Sequence, residues 1–381
     1  MAEPERFLGL ISGTSADGID AVVCEFATAD PSTPAPAMSG AVRIIASKTF
    51  PYPSDVRARV VALARSRASV TLDDLGHLDV QIGECFADAA MALLAESGIA
   101  SEHVTAIGTH GQTICHRPTG AHPFTLQIGD ASVIAEHTGI TTVADFRRAD
   151  IAAGGQGAPL LPALHAAVLA SPAIPRAILN LGGIGNLTLL VPGQPVIGFD
   201  TGPANCLLDA WALCQRGQAR DDGGAWARSG TVDHGLLARL LDDPYFAADP
   251  PKSTGREVFN LDWLEARKPG EASAADVQAT LLALTAQSIA DALRSHAPTV
   301  REVYACGGGV HNPALMDALR AQLPGVRVDS TAALGLDPDF VEAAGFAWLA
   351  RARLAGMPGN LPSVTGARGP RVLGAIYPAP P

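Results

Sequence analysis

The stretch from Phe7 to Phe26, FLGLISGTSADGIDAVVCEF, sets two apolar segments, Phe7–Ile11 and Ile19–Phe26, around the polar turn Ser12–Gly18. Glycines that tolerate positive φ, together with hydroxyl and Asp turn chemistry, predict a β-hairpin here. No bulky side chain guards its tip, so backbone N–H groups can approach an anion. Thr14 and Ser15 can donate to a phosphate, and Asp17 can hold a metal's water shell. An ordinary polar hairpin fits the same residues equally well. About 170 residues later the arrangement returns, where Arg176–Asn180 leads through Gly182, Gly183, Gly185 and Asn186 into Leu187–Leu190. The echo is one of pattern, not of residue identity, and it predicts two lobes of similar construction.

A chain of 381 residues, 48% apolar and only 17% charged, has the length for two or three domains and should be mostly packed. Its formal charge of −11 disfavours nucleic acid and anionic membrane, which leaves a small-molecule partner. The six cysteines form no C-x-x-C, so neither a disulfide framework nor a zinc site is suggested. The acidic start, Met1–Arg6, does not read as a signal peptide, and no apolar run reaches about 18 residues. A soluble, cytoplasmic protein is expected.

Further along, a strand is predicted at Ala41–Thr49 and helices at Ser54–Arg67 and Thr71–Ser97, the second with Leu75, Leu78, Ile82, Phe86 and Leu93 at helical spacing. A short buried strand, Val104–Gly108, runs into Thr109-His110-Gly111-Gln112-Thr113. Polar groups at the carboxyl ends of strands line ligand crevices in α/β sheets, so His110 and Gln112 are candidate substrate contacts. Strands at Thr125–Ile128 and Thr141–Ala144 flank a helix capped by Asp130. Asp145, Arg147 and Arg148 then precede the run Gly154-Gly155-Gln156-Gly157, which suits either a solvated charge cluster or a carboxylate or phosphate clamp. The strand Pro195–Phe199 ends in Asp200, a position where α/β proteins place reacting groups. The loop Asp249–Asn260, with Lys252, Ser253, Thr254 and Arg256, reads more readily as facing water than substrate. A helix Ala274–His296 and a strand Glu302–Cys306 follow. Gly307, Gly308 and Gly309 then leave a bare backbone surface against which a flat ring can lie. The final helix, Asp339–Ala355, carries Glu342 near its start, where an acid is favoured electrostatically in any case.

Glycine-rich strand ends around Gly13, Gly182, Gly202 and Gly308 favour a nucleotide in a cleft between two lobes. The three lysines, Lys48, Lys252 and Lys268, follow no glycine, so there is no P-loop. No G-x-G-x-x-G follows a predicted strand, and no G-x-S-x-G occurs.

In combination, Gly9–Asp20, Thr109–Thr113, Ala144–Arg148 with Ala153–Pro159, and Gly198–Pro203 resemble the anhydro-N-acetylmuramic acid kinase family. The likeness runs from about Phe7 to Tyr377. Departures are small: Ile11 where the family often has Met, Ala16 where it has a bulkier residue, and Ala204 for Gly. The resemblance implies an α/β, two-lobed actin-like ATPase fold of duplicated ribonuclease H-like domains. Residues 1–140 would form the N-terminal lobe, with the tail 357–381 packing back on it, and residues 141–356 the C-terminal lobe. It also implies ATP and Mg²⁺ as cofactors and a homodimer. The residues Gly13, Thr14, Ser15, Ala16, Asp17, Gly18, Ile19 and Asp20 match its ATP-binding motif. Paired hairpins, the second at Gly182, Gly183 and Asn186, would grip the phosphates, with Gly307–Gly309 bordering the adenosine. His110, Gln112, Thr113, Asp145, Arg147, Arg148, Gln156 and Gly157 fall in its substrate motifs. Asp200 matches its catalytic aspartate, with Glu342 as a second carboxylate.

The implied reaction opens the 1,6-anhydro bridge of 1,6-anhydro-N-acetylmuramic acid while phosphorylating O6, in cell-wall recycling. Such a sugar has no free O6 hydroxyl to deprotonate. One carboxylate must therefore act as base on a water attacking C1, while O6 accepts the γ-phosphoryl group. A same-fold kinase for another sugar, or a silent ATP-gated binding protein, remains open at this point.

Overall fold

The computed structural model describes residues 4–13, 16–27, 42–65, 70–267, 270 and 272–381. The chain divides into two compact units, residues 1–168 with 340–381, and residues 169–339. Each unit is built on one sheet.

In the first unit, β1 (Glu5–Ser12), β2 (Ile19–Phe26) and β3 (Val42–Phe50) form an antiparallel meander. On the other side of β1, β4 (Ala106–Arg117) and β6 (Thr142–Ala144) add in parallel. β5 (Phe124–Ile128) pairs antiparallel with the far half of β4, and β12 (Ala375–Tyr377) pairs with β6. β1 and β2 are buried along nearly their whole length, which is why they read as continuous apolar runs rather than alternating ones. One face, with Leu8, Leu10, Ile19 and Val23, packs on Leu78, Ile82, Phe86 and Leu93 of the helix Leu72–Ser97. That helix starts where Thr71 accepts from Asp74 N at 3.1 Å and stops at left-handed Gly98. The helix Val341–Leu354 lies on the opposite face. There Gly9 and Gly108 are side-chain-free where the helix carbonyls of Ala343 and Phe346 come down, and a Cβ at either position would collide with them.

The second unit repeats the path. β7 (Arg176–Leu181), β8 (Ile184–Leu190) and β9 (Ile197–Pro203) are antiparallel neighbours, and β10 (Glu302–Cys306) and β11 (Arg327–Ser330) add in parallel beyond β7. The orders β3-β2-β1-β4-β6 and β9-β8-β7-β10-β11 are thus the same route taken twice. This is the duplication that the glycine-turn echo predicts. The core joins Leu179, Leu181, Leu187 and Phe199 to Leu281, Leu284 and Ile289 of the amphipathic helix Ala274–His296.

The division differs from the expected one at both crossings. The expected break after residue 140 falls inside the first unit, because β6 takes its hydrogen bonds from β4. The helix Val341–Leu354, expected with the C-terminal lobe, belongs to the first unit, because its glycine-lined seat is on β1 and β4. Both are non-local pairings with no local sequence signal. Among the described residues, no helix is long and apolar enough to cross a membrane.

Candidate active site

In the first unit the hairpin tip is held from behind. Gly13 O accepts from Ala16 N (3.0 Å) and from the side-chain amide of Gln112 (3.2 Å). Arg57 Nε donates to Ala16 O (2.9 Å) and its Nη2 to Asp17 (2.8 Å). Ala16, at φ 50°, and Ile19 are buried in the core, Gly18 lies against Thr49, and Asp20 accepts from Thr49 Oγ1 (2.6 Å). These residues shape the tip, whereas Asp17, with 72% of its side chain exposed, faces solvent. Thr14 and Ser15 lie outside the described residues.

β4 carries His110 at the carboxyl edge of the sheet. The imidazole is buried against Phe346 at 4.8 Å between ring centres. Burial, then the Arg147 charge, hold its pKa well below the usual range, so it is neutral. The hydrogen bonds select one tautomer: Nδ1–H donates to Gly111 O (3.0 Å), and Nε2 accepts from Arg147 Nε (3.0 Å) and Nη2 (2.8 Å). Arg147 Nη1 donates to Gly157 O (2.7 Å). Burial lowers Arg147 to about 10 while the Glu342 and Asp150 charges oppose that loss, so the guanidinium stays cationic beside both. His110, Arg147, Gly157 and Glu342 therefore form one group.

Asp145 and Arg148 pair at 3.5 Å and, with His110, Asp79, Asp130 and Gln127, line a cavity of about 250 Å³. Burial raises Asp145, and it raises Asp79, whose carboxylate accepts from Gly129 N (2.6 Å). Gln112, expected to face substrate, is instead fully buried, its amide bridging Gly13 and the Tyr52 hydroxyl. Thr113 Oγ1 accepts from Gln127 (3.2 Å), and Gln156 N donates to Thr365 O (2.8 Å).

Asp150 lay outside the expected set. Its carboxylate has no exposed surface and accepts from Gly157 N (2.7 Å), Asn360 Nδ2 (2.6 Å) and Thr365 Oγ1 (2.7 Å). It thereby ties the glycine run to the C-terminal tail. Only its place just before that run hinted at this.

In the second unit Asp200 sits inside β9, opposite Asn186 of β8. The loop 249–260 lies along it: Asp200 N donates to Lys252 O (3.1 Å), and Asp200 Oδ2 accepts from Thr254 N (3.0 Å). Tyr245 OH donates to Asp200 O (2.8 Å). Burial raises the carboxyl to about 6 and the Thr254 bond opposes the rise.

The glycine turn between β7 and β8 is anchored through its carbonyls. Gly182 O accepts from Asn205 N (3.1 Å) and Nδ2 (2.8 Å), and Gly183 O from Ala204 N and Cys206 N (both 3.0 Å). A trans peptide points its N–H opposite to its C=O, so the Gly183 N–H is directed away from that helix start. The Gly307–Gly309 loop sits beside it, because β10 is the parallel neighbour of β7 and Cys306 faces Asn180. Gly309 packs on Leu181, where an added Cβ would come within 2.6 Å of the leucine Cβ, while one on Gly308 would meet nothing within 4 Å. Gly308 is the bare side of the loop. The structure thus brings Gly182, Gly183, Asn186, Asp200 and Gly307–Gly309 to one edge of one sheet. The part of Lys252–Arg256 at this edge was not foreseen, although basic and hydroxyl residues in a chain only 17% charged were a signal.

A strand path taken twice, with glycine turns and a half-buried carboxylate at a carboxyl edge, defines a class of duplicated α/β folds. Within that class, residues 5–379 match the family described as anhydro-N-acetylmuramic acid kinase. Proteins of that name from Xanthomonas campestris pv. campestris strain 8004 and Xylella fastidiosa strain Temecula1 are 58% and 54% identical. Each match covers 98% of this chain, with 97% and 96% of the respective relatives. One from Photobacterium profundum is 48% identical over 98% of this chain and 99% of its own. The chain belongs to the anhydro-N-acetylmuramic acid kinase family.

Proposed function

We propose that the protein uses ATP and water to convert 1,6-anhydro-N-acetylmuramic acid to N-acetylmuramic acid 6-phosphate in cell-wall recycling, with Asp200 as base. The observation that carries the reading is the Asp200 carboxylate, half-buried beside the glycine turns, with its pKa raised to about 6. Such a group is ionised at neutral pH yet basic enough to take a proton. Asp200 removes a proton from water as it attacks C1, the C1–O6 bond breaks, and O6 takes the γ-phosphoryl group as ADP leaves. The Thr254 N–H holds one carboxylate oxygen, so the other is left for water.

In this reading Gly13–Gly18 and the turn at Gly182 and Gly183 receive phosphates, Gly307–Gly309 border the adenosine, and Asn186 steadies β9. His110, Thr113, Asp145, Arg148, Gln156 and Gly157 contact the sugar. Arg147, already bound to His110 and Gly157, fixes their arrangement, and Glu342 balances its charge. Gln112 acts through the hairpin tip.

Mg²⁺ carried on the phosphates would neutralise charge on the transferring group. Among the described residues no group of three or more His, Cys, Asp or Glu side chains could hold it directly. Asp17, paired with Arg57 and exposed, fits only an outer role toward its water shell.

The reading also includes a cytoplasmic homodimer; a monomer in light scattering or a periplasmic location would remove that part. The test is ADP release from ATP and Mg²⁺ with the anhydro sugar, with mass spectrometry on the product. A gain of one phosphate plus one water is expected. Phosphate without water would remove the base role of Asp200, and no sugar-dependent ADP would overturn the reading.

A further inference from the structure

We propose that Arg256 contacts the γ-phosphoryl group during transfer and stabilises its charge, an assignment that rests on the kinase reading above. Five observations carry it. Arg256 lies on the loop that grips Asp200 through Lys252 O and Thr254 N. Its guanidinium covers Gly183: a Cβ there would come within 2.8 Å of Nη2, 2.9 Å of Nε and 3.2 Å of Cζ. With Cζ the farthest of the three atoms, the donor-bearing Nε–Nη2 edge of the group is turned toward the glycine. A side chain at 183 would push the guanidinium off the turn.

Arg256 is also left uncommitted. Among the described residues it is exposed and makes no hydrogen bond or ion pair, in contrast to Arg176, Arg228 and Arg267, which hold carboxylates. The neighbouring cation is already committed, since Lys252 Nζ donates to Tyr245 O (3.1 Å) and Phe246 O (3.2 Å). The Arg256 charge also acts on the Cys206 thiol, where it opposes the rise that burial causes. A guanidinium offers a planar fork of donors matched to phosphate oxygens, and an uncommitted one beside a base and an N–H-bearing turn is placed for an anion.

The step balances without a proton on Arg256. Water gives its proton to Asp200 and its oxygen to C1. The C1–O6 bond pair passes to O6, O6 bonds to phosphorus, and the bond to the ADP oxygen breaks. Charge spreads over the three equatorial phosphoryl oxygens, which is what a fixed guanidinium stabilises.

The test compares the native protein with Arg256→Gln and Arg256→Lys. Turnover is followed with ATP, Mg²⁺ and saturating anhydro sugar, and nucleotide binding by calorimetry with a non-hydrolysable ATP analogue. We expect kcat to fall about 10²- to 10³-fold in Arg256→Gln with the analogue's Kd changed less than about threefold, only partial recovery in Arg256→Lys, and partial rescue of Arg256→Gln by added guanidinium ion at concentrations below those that unfold the protein. Gly183→Ala, which displaces the guanidinium without removing it, should lose turnover similarly. The assignment falls if kcat in Arg256→Gln stays within about threefold of native, or if the whole loss appears in the analogue's Kd. A native protein that binds the analogue but releases no ADP with the sugar overturns the kinase reading and this assignment with it. An active native protein with an unaffected Arg256→Gln overturns this assignment alone.

Discussion

Asp200→Asn should inactivate the protein and stabilise it. The Asp200 carboxyl is raised from an ordinary 3.8 to about 6, with burial as the first cause. A rise of that size means that the folded state disfavours the ionised form by about 3 kcal/mol. The sign follows from linkage. Below about pH 4 the group is protonated in both folded and unfolded chains and costs nothing. Between about 4 and 6 only the unfolded chain loses its proton, so stability falls as pH rises; above about 6 the full cost is present. Asparagine is neutral throughout and can still accept the Thr254 N–H, though more weakly, which subtracts about 1 kcal/mol. The net gain near pH 7.5 is about 2 kcal/mol, or about 4–8 °C in Tm for a unit of this size, and it should vanish near pH 4. Turnover should fall about 10²-fold or more. Thermal unfolding at the two pH values with an ADP-release assay reads both effects. Equal stability of the two proteins at pH 7.5 would refute the burial argument, and near-native turnover would refute the base role.

Because the ionised form of Asp200 is the base, kcat/KM in the native protein should rise with pH through about 6; a profile flat down to about pH 4.5 would exclude Asp200. Asp150→Ala strands Gly157 N, Asn360 Nδ2 and Thr365 Oγ1 in a site with no exposed surface. It should cost about 3 kcal/mol or more in urea unfolding, and an unmoved midpoint would show that these donors find other partners. Gly108→Ala puts a methyl into the Phe346 carbonyl. A loss of about 1–3 kcal/mol is expected, and an unchanged Tm would mean that the helix can lift at no cost.

Elements set by local chemistry were legible in the sequence. The helix Ala274–His296 begins where Ser273 accepts from Asp276 N, and β10 ends where the glycines begin, so both matched residue for residue. The hairpin β1–β2 and its echo β7–β8 were visible because burial on both faces leaves apolar runs bounded by glycine. β4 was read too short, since the part beyond Gly108 is largely polar and its last residues, from Gln112 on, are held by pairing with β5. β11, Arg327–Ser330, has one apolar residue and exists because β10 offers it an edge. At the site, Asp200 and the glycine turns were recognisable by type and position. Gln112 was misplaced because burial against Gly13 and Tyr52 is not a local property. Arg256 was passed over because what it touches, Gly183, is remote in the chain.

The seat of the helix Val341–Leu354 on Gly9 and Gly108 has a mechanical consequence. Where side chains separate a helix from a sheet, rotamer changes let it slide, but here backbone meets backbone at two points on neighbouring strands. Alternation along the strands puts Phe7 and Ile11 on the same face as Gly9, and Ala106 and His110 on the same face as Gly108. All four carry side chains and are buried, so a helix displaced along the sheet finds no second gap for its carbonyls. The seat is thus a detent with a single stop. Glu342, one residue into that helix, inherits this stop, so its place beside Arg147 is fixed in the first instance by two missing methyl groups.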